Sequence, residues 1–203
     1  MNLYKLHTQP HKLLFREKVT DRNPEIFYNL YSSKPEELAK REKYIALSPE
    51  YASRYARFIL KGPFPAGEAA IATNAETAFN YALFVLEGPF PAGEDAIAKD
   101  ADRACSYASS VLNGPFPKGE VAIAKDALSS LTYAALIEKS FPAGEDAIAK
   151  DANYSFKYAQ NTLNGPFPKG EAVISKDAYF KRKYAKEVLK KDFYFDGKLI
   201  AKA

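Results

Sequence analysis

Phe64-Pro65-Ala66-Gly67-Glu68 returns as Phe90-Pro91-Ala92-Gly93-Glu94, Phe116-Pro117-Lys118-Gly119-Glu120, Phe141-Pro142-Ala143-Gly144-Glu145 and Phe167-Pro168-Lys169-Gly170-Glu171. The interval is 26 residues at every step but one, which is 25. Self-similarity at such a period marks a chain built from small units that bury their apolar faces on one another. Two further series keep the register. Tyr-Ala pairs begin at Tyr55, Tyr81, Tyr107, Tyr133, Tyr158 and Tyr184, and isoleucines stand at Ile45, Ile71, Ile97, Ile123, Ile148 and Ile174. Counting back one period from Phe64 puts a degenerate first copy near Leu38, and Phe193 opens a copy that is not completed. The expected organisation is a divergent head at 1–37, a repeat region of about six units at 38–192 and a tail at 193–203.

Within the copy Gly88–Asn113, Pro89 and Pro91 bar helix around Phe90, because proline lacks the amide donor and restricts the residue before it. A short helix follows over Gly93–Lys99, with Glu94 and Asp95 in the first turn where the dipole favours acids. Asp100 then stands at a cap position. Its equivalents Ser48, Asn74, Asp126, Asp151 and Asp177 are all favoured N-cap residues. A second helix of about three turns is expected over Ala101–Leu112, with Ala101, Ala104, Tyr107, Ala108, Val111 and Leu112 on one stripe. Asn113-Gly114 ends it, with glycine expected to supply the left-handed turn. The small residues Ala78, Ala104, Ser130 and Ser155 allow close approach. The short step falls at Leu136–Phe141, read as a shortened elbow with an altered twist. Such units need neighbours, so the fold class expected is all-α: an α-solenoid of about six two-helix repeats with small irregular or β caps. Leu3-Tyr4-Lys5-Leu6 reads as a short strand and Asn23–Tyr31 as a helix. Phe193–Ile200 reads as a hairpin turning on Asp196-Gly197.

Composition removes several function classes. No apolar run approaches the ~18 residues of a membrane span, and Met1–His7 lacks the apolar core of a secretory signal. The single cysteine, Cys105, sits where sibling units place Phe79, Leu131 and Phe156, which makes it a packing residue in a reducing compartment. The expected location is the cytoplasm. His7 and His11 are the only histidines, and with one cysteine they assemble no zinc set. No phosphate-cradling glycine run and no nucleophile elbow appears, so no catalytic, metal or cofactor residues are assigned.

The net charge of +4 is unevenly spread. Residues 1–61 carry twelve Lys/Arg and seven Asp/Glu, residues 62–175 eight and fourteen, and residues 176–203 nine and four. Basic ends therefore flank an acidic middle. The recurrent glutamates read as partners for free amides at helix starts. Lys99, Lys125, Lys150 and Lys176 read as dipole complements at the ends of the short helices. As an alternative they form an anion-binding ladder, which the acidic middle disfavours. Repeat proteins differ in function where their units differ. One position past the first helical residue the chain has Glu50, Glu76, Asp102, Leu128, Asn153 and Tyr179, and at the next Tyr51, Thr77, Arg103, Ser129, Tyr154 and Phe180. Phe58 and Phe84 give way to Ser110 further along. Varying aromatics are the candidate partner contacts: Phe84, Tyr154, Tyr179 and Phe180.

The motif Tyr107-Ala108…Val111-Leu112-Asn113-Gly114-Pro115-Phe116-Pro117-Lys118-Gly119-Glu120…Ala122-Ile123-Ala124-Lys125-Asp126 resembles short α-helical repeats in hypothetical proteins of tailed bacteriophages and some large DNA viruses. It covers about three quarters of the chain. The resemblance implies a repeat fold and a phage origin, and it carries no catalytic residues. A looser likeness to tetratricopeptide-type solenoids is architectural only. The function expected is a non-enzymatic protein-binding module, a phage factor that occupies a host protein, defence components included, in the host cytoplasm. The alternative is nucleic-acid or nucleotide-ligand binding through the lysine series and the basic tail.

Overall fold

The computed structural model describes residue 36 and residues 39–203. His7, His11, Leu38 and the segments Leu3–Leu6 and Asn23–Tyr31 lie outside them. The chain is mostly helical, with close helix–helix contacts, and forms two compact units, Met1–Gly93 and Glu94–Ala203. The described part of the first holds α1 (Glu42–Ile45), α2 (Pro49–Tyr55), α3 (Pro65–Ile71) and α4 (Ala75–Tyr81). The second holds α5 (Glu94–Ile97), α6 (Ala101–Tyr107), α7 (Glu120–Ile123), α8 (Ala127–Leu136), α9 (Glu145–Ile148), α10 (Ala152–Lys157), α11 (Pro168–Lys176) and α12 (Phe180–Lys183). The antiparallel strands β1 (Phe193–Phe195) and β2 (Lys198–Ala201) close it.

The six expected caps are all formed. Side chains of Ser48, Asn74, Asp100, Asp126 and Asp151 accept the amides of Tyr51, Thr77, Arg103, Ser129 and Tyr154. Asp177 accepts two, from Tyr179 and Phe180. Each such bond satisfies an amide that the first helical turn leaves without a carbonyl.

Two expectations about helix ends need correction. The long helices do not remain α-helical: α2, α4, α6, α10 and α12 run on as π-helix over Ala56–Leu60, Ala82–Leu86, Ala108–Leu112, Tyr158–Leu163 and Tyr184–Leu189. In the first four the left-handed residue that stops the helix is not the glycine but the one before it, and after α12 it is Lys190, followed by Lys191. Lys61, Glu87, Asn113 and Asn164 have φ between 47° and 53°, and the following Gly62, Gly88, Gly114 and Gly165 donate their amides six residues back, to Ala56, Ala82, Ala108 and Ala159. A π-turn holds one residue more than an α-turn over the same arc.

That extra residue accounts for the period. Helix α8 alone stays α-helical to its end. Its left-handed residue is Glu138 (φ 51°), and Lys139 donates to Ala134, only five residues back. The 25-residue step is thus a helix without its π-turn, rather than a shortened elbow. Lys139 and Ser140 occupy the Gly-Pro positions, and the elbow keeps its geometry. Tyr133 and Phe141 meet edge-on at 5.1 Å and 69°, as Tyr107 and Phe116 do at 5.1 Å and 64°.

The core repeats with the sequence. All six Tyr-Ala tyrosines and the six isoleucines are buried, as are the elbow phenylalanines. The elbow glycines are required for space. Gly119 has an ordinary φ of −87°, yet a Cβ there would lie 2.6 Å from the Phe116 ring and 2.7 Å from the Ala104 methyl. Gly93 meets Ala78 in the same way, and Gly170 meets Ser155. The small residues Ala78, Ala104 and Ser155 are therefore seats for the glycine of the following elbow. Asp196 (φ 50°) and Gly197 (φ 73°) make the hairpin turn, with Phe193 buried against Tyr184 at 5.1 Å.

Candidate functional site

The residues that recur in every unit are occupied internally. In the first unit Phe64 donates its amide to Tyr81 Oη at 2.8 Å, and that hydroxyl donates to Glu68 Oε1 at 2.8 Å. In the second, Phe116, Tyr133 and Glu120 repeat the relay at 2.9 and 2.8 Å. Phe141–Tyr158–Glu145 and Phe167–Tyr184–Glu171 do so as well. The recurrent glutamate thus holds a tyrosine hydroxyl rather than the helix-start amides that the sequence suggested. Its signal was legible as a constant Glu-to-Tyr spacing. Burial, reinforced by the neighbouring carboxylate, pushes Tyr81 and Tyr133 up to about 12, so these phenols stay neutral and donate.

A second internal partnership alternates along the chain. Lys118 Nζ sits 3.1 Å from Glu94 and 3.4 Å from Asp95, and Lys169 sits 3.4 Å from Glu145 and 2.9 Å from Asp146. Each elbow lysine therefore pairs with the Glu-Asp of the unit before it, and Asp95 and Asp146 occur in the units whose successors carry lysine. Lys169 holds the Asp146 carboxyl below its usual range.

The varying positions just past the caps of α2, α4, α6 and α8 line grooves. Between α2 and α4 a groove of about 640 Å³ is walled by Glu50, Arg54, Asn74, Glu76, Thr77 and Asn80. Between α6 and α8 a groove of about 780 Å³ is walled by Lys99, Asp102, Cys105, Leu128, Thr132 and Tyr154. The residues two past the cap, Glu50, Glu76, Asp102 and Leu128, all face these grooves, and Leu128 is 55% exposed. Cap geometry puts them there, since the second residue of each long helix turns away from the buried Ala52, Ala78 and Ala104 stripe.

The four candidate aromatics are not one site. Tyr154 is half-buried at the edge of the larger groove. Phe84 is exposed in the first unit, on the π-turn after α4, with the Arg57 guanidinium 3.6 Å from its ring centre and 5.0 Å from that of exposed Phe58. Phe180 is half-buried against Phe156 at 5.6 Å, so the surface ring of its pair is Tyr179, 62% exposed.

Lys99, Lys125, Lys150 and Lys176 are exposed, each next to a cap aspartate. Around Lys99 the groove also holds Asp100, Asp102 and Asp126, so acids outnumber it. Cys105 is buried, its thiol 3.5 Å from the Ser129 carbonyl and pushed up to about 11 chiefly by burial. A thiol in that state is a poor nucleophile. No helix among the described residues is long and apolar enough to cross a membrane. Compared with protein-family models, curated proteins and solved structures, the chain matches none.

Proposed function

We propose that the chain is a non-enzymatic protein-interaction module, an α-solenoid of six two-helix repeats over residues 38–192 that holds a partner protein along the grooves between its long helices. One observation carries this reading. The recurrent tyrosines, phenylalanines, glutamates and glycines are used up in packing and in the hydroxyl relay, whereas Glu50, Glu76, Asp102, Leu128 and Tyr154, which change from unit to unit, line the grooves. A repeat scaffold with a constant interior and a variable groove face is how solenoids hold one partner and reject others. Leu128 and Tyr154 supply apolar anchor surface in the larger groove, with Asp102 as a polar rim. A phage origin and a host target rest on the sequence resemblance alone, and a cytoplasmic setting on the composition.

The test is capture of partners from bacterial lysate on the immobilised chain, with and without nuclease, repeated with variants. Leu128→Arg and Tyr154→Ala should each reduce recovery of a nuclease-resistant protein by at least tenfold, Phe84→Ala should reduce it, and Lys125→Ala should leave it unchanged. Loss of all captured material after nuclease, or equal capture by Leu128→Arg, would overturn the groove reading. A ladder of phosphate contacts along Lys99, Lys125, Lys150 and Lys176 would reverse that order, with Lys125→Ala the damaging change.

A further inference from the structure

The end of the chain presents a surface that the groove reading does not use. Residues 176–203 carry nine Lys/Arg against four Asp/Glu. Three of the four acids are engaged: Asp177 with the Tyr179 and Phe180 amides, Glu187 with Lys183 and Gln160, and Asp192 with the Ala203 amide. Among the described residues Lys181, Arg182, Lys198 and Lys202 have no carboxylate within ion-pair distance, and the last three are exposed. Helix α12, which carries Lys181 and Arg182, packs against β2, which carries Lys198, so the cations of helix and hairpin share one region. Tyrosines stand among them. Tyr194 is 59% exposed and pairs across the hairpin with exposed Leu199. Tyr179, at the start of α12, is 62% exposed.

From this arrangement we infer that the C-terminal cap binds single-stranded nucleic acid, with Lys181, Arg182, Lys198 and Lys202 contacting phosphates and the Tyr179 and Tyr194 rings stacking on bases. Unpaired cations interleaved with exposed rings are the combination that single strands require, because every base offers a face and every nucleotide a charge. A duplex hides its base faces and gains nothing from the tyrosines. Lys99, Lys125 and Lys150 of the repeats differ in kind: they lie beside cap aspartates and bring no exposed rings with them. The inference stands independently of the groove reading, since it uses neither groove.

Fluorescence anisotropy of a labelled oligothymidine of about fifteen nucleotides with the full chain tests it, alongside a duplex of equal length, heparin and polyglutamate. The single strand should bind at least tenfold more tightly than the duplex and lose affinity steeply with salt. Tyr194→Ala should weaken single-strand binding by roughly tenfold while leaving its salt slope unchanged. Lys198→Gln with Lys202→Gln should flatten the slope by about 1.4, at about 0.7 for each single-strand phosphate that is no longer neutralised. These positions are at the surface, and an unchanged circular dichroism spectrum confirms that each variant is folded. Equal affinity for single strand and duplex, or heparin or polyglutamate binding unaffected by Tyr194→Ala and as tight as the oligonucleotide, would reduce the patch to general polyanion attraction and overturn the proposal. So would absence of binding at low salt.

Discussion

Tyr133 Oη lies 2.8 Å from Glu120 Oε1 and accepts the Phe116 amide at 2.9 Å, so one buried hydroxyl joins an elbow to the helix that follows it. The elbow amide has no carbonyl partner of its own, because Pro115 and Pro117 keep it out of any helix. The carboxylate fixes the hydroxyl's proton direction and leaves a lone pair for the amide. A phenylalanine in place of the tyrosine would preserve the ring packing and lose both bonds.

Tyr133→Phe should therefore cost about 1–3 kcal/mol, the penalty for stranding a buried donor, although it removes only one atom. Glu120→Gln keeps an acceptor and should cost less. Urea denaturation of both variants and of the double mutant checks this. The two changes should be non-additive, since either one breaks the same chain of bonds. Strict additivity would mean that the hydroxyl and carboxylate act separately.

The same burial makes the fold sensitive to alkali. Tyr81 and Tyr133 are pushed up to about 12 from an ordinary value near 10, and Tyr158 is raised too, so the unfolded chain loses these protons at lower pH than the folded one. Stability is then fully present below pH 10 and falls as pH rises from 10 to about 12. Thermal midpoints followed by circular dichroism should be flat from pH 8 to 9.5 and drop steeply above 10. Tyr133→Phe, having one such phenol fewer, should drop less steeply. A midpoint flat through pH 11.5 would contradict the buried state of these rings.

At the elbow, Gly119→Ala reverses a familiar sign. Alanine for a glycine in an ordinary right-handed conformation gains about 0.4–1 kcal/mol by restricting the unfolded chain. Here the new methyl would meet the buried Phe116 ring at 2.6 Å and the Ala104 methyl at 2.7 Å. Overpacking of that kind costs about 1–3 kcal/mol. Phe116→Ala should cost about 3–5 kcal/mol by leaving a cavity, and Asp126→Ala about 1 kcal/mol by removing a cap. Chemical denaturation should rank Phe116→Ala first, and a stabilised Gly119→Ala would show that the elbow is looser than described.

Much of this was legible beforehand for a physical reason: each unit solves the same local problem, so cap, stripe and breaker residues repeat where local rules act. Asp100 and its five equivalents needed only the amides of the next turn, and the structure forms every one. The Tyr133–Glu120 bond was hidden because it joins residues 13 apart on different helices, where no local rule applies, although its constant spacing was visible. The left-handed residue was misplaced for a related reason. Glycine is the usual choice for positive φ, yet Lys61, Glu87 and Asn113 take that conformation here, as Glu138 does after α8 where there is no π-turn, so in every case the stop falls one residue before the glycine or its equivalent. The grooves were legible only as variation. Leu128 and Tyr154 stood out as changes between units, and adjacency across α6 and α8 was needed to put Leu128 opposite Asp102.

The π-turn yields the last prediction. Helix α8 reaches its elbow with one residue fewer than its siblings, and the Tyr133–Phe141 pair has the same 5.1 Å separation as Tyr107–Phe116. Deleting exposed Ser110 from the π-turn Ala108–Leu112 should convert that turn to α-helix and leave Tyr107 and Phe116 in place. The cost should be small, about 1 kcal/mol or less, because a π-turn gives up some hydrogen-bond geometry that the α-turn restores. Deleting Ala104 instead removes a residue upstream of Tyr107, rotates the buried stripe by about 100°, and should abolish cooperative unfolding. Circular dichroism and urea titration of the two deletions separate the cases. Equal damage from both would mean that the π-turn is an integral support for the elbow, and that the 25-residue step survives only through compensation at Lys139 and Ser140.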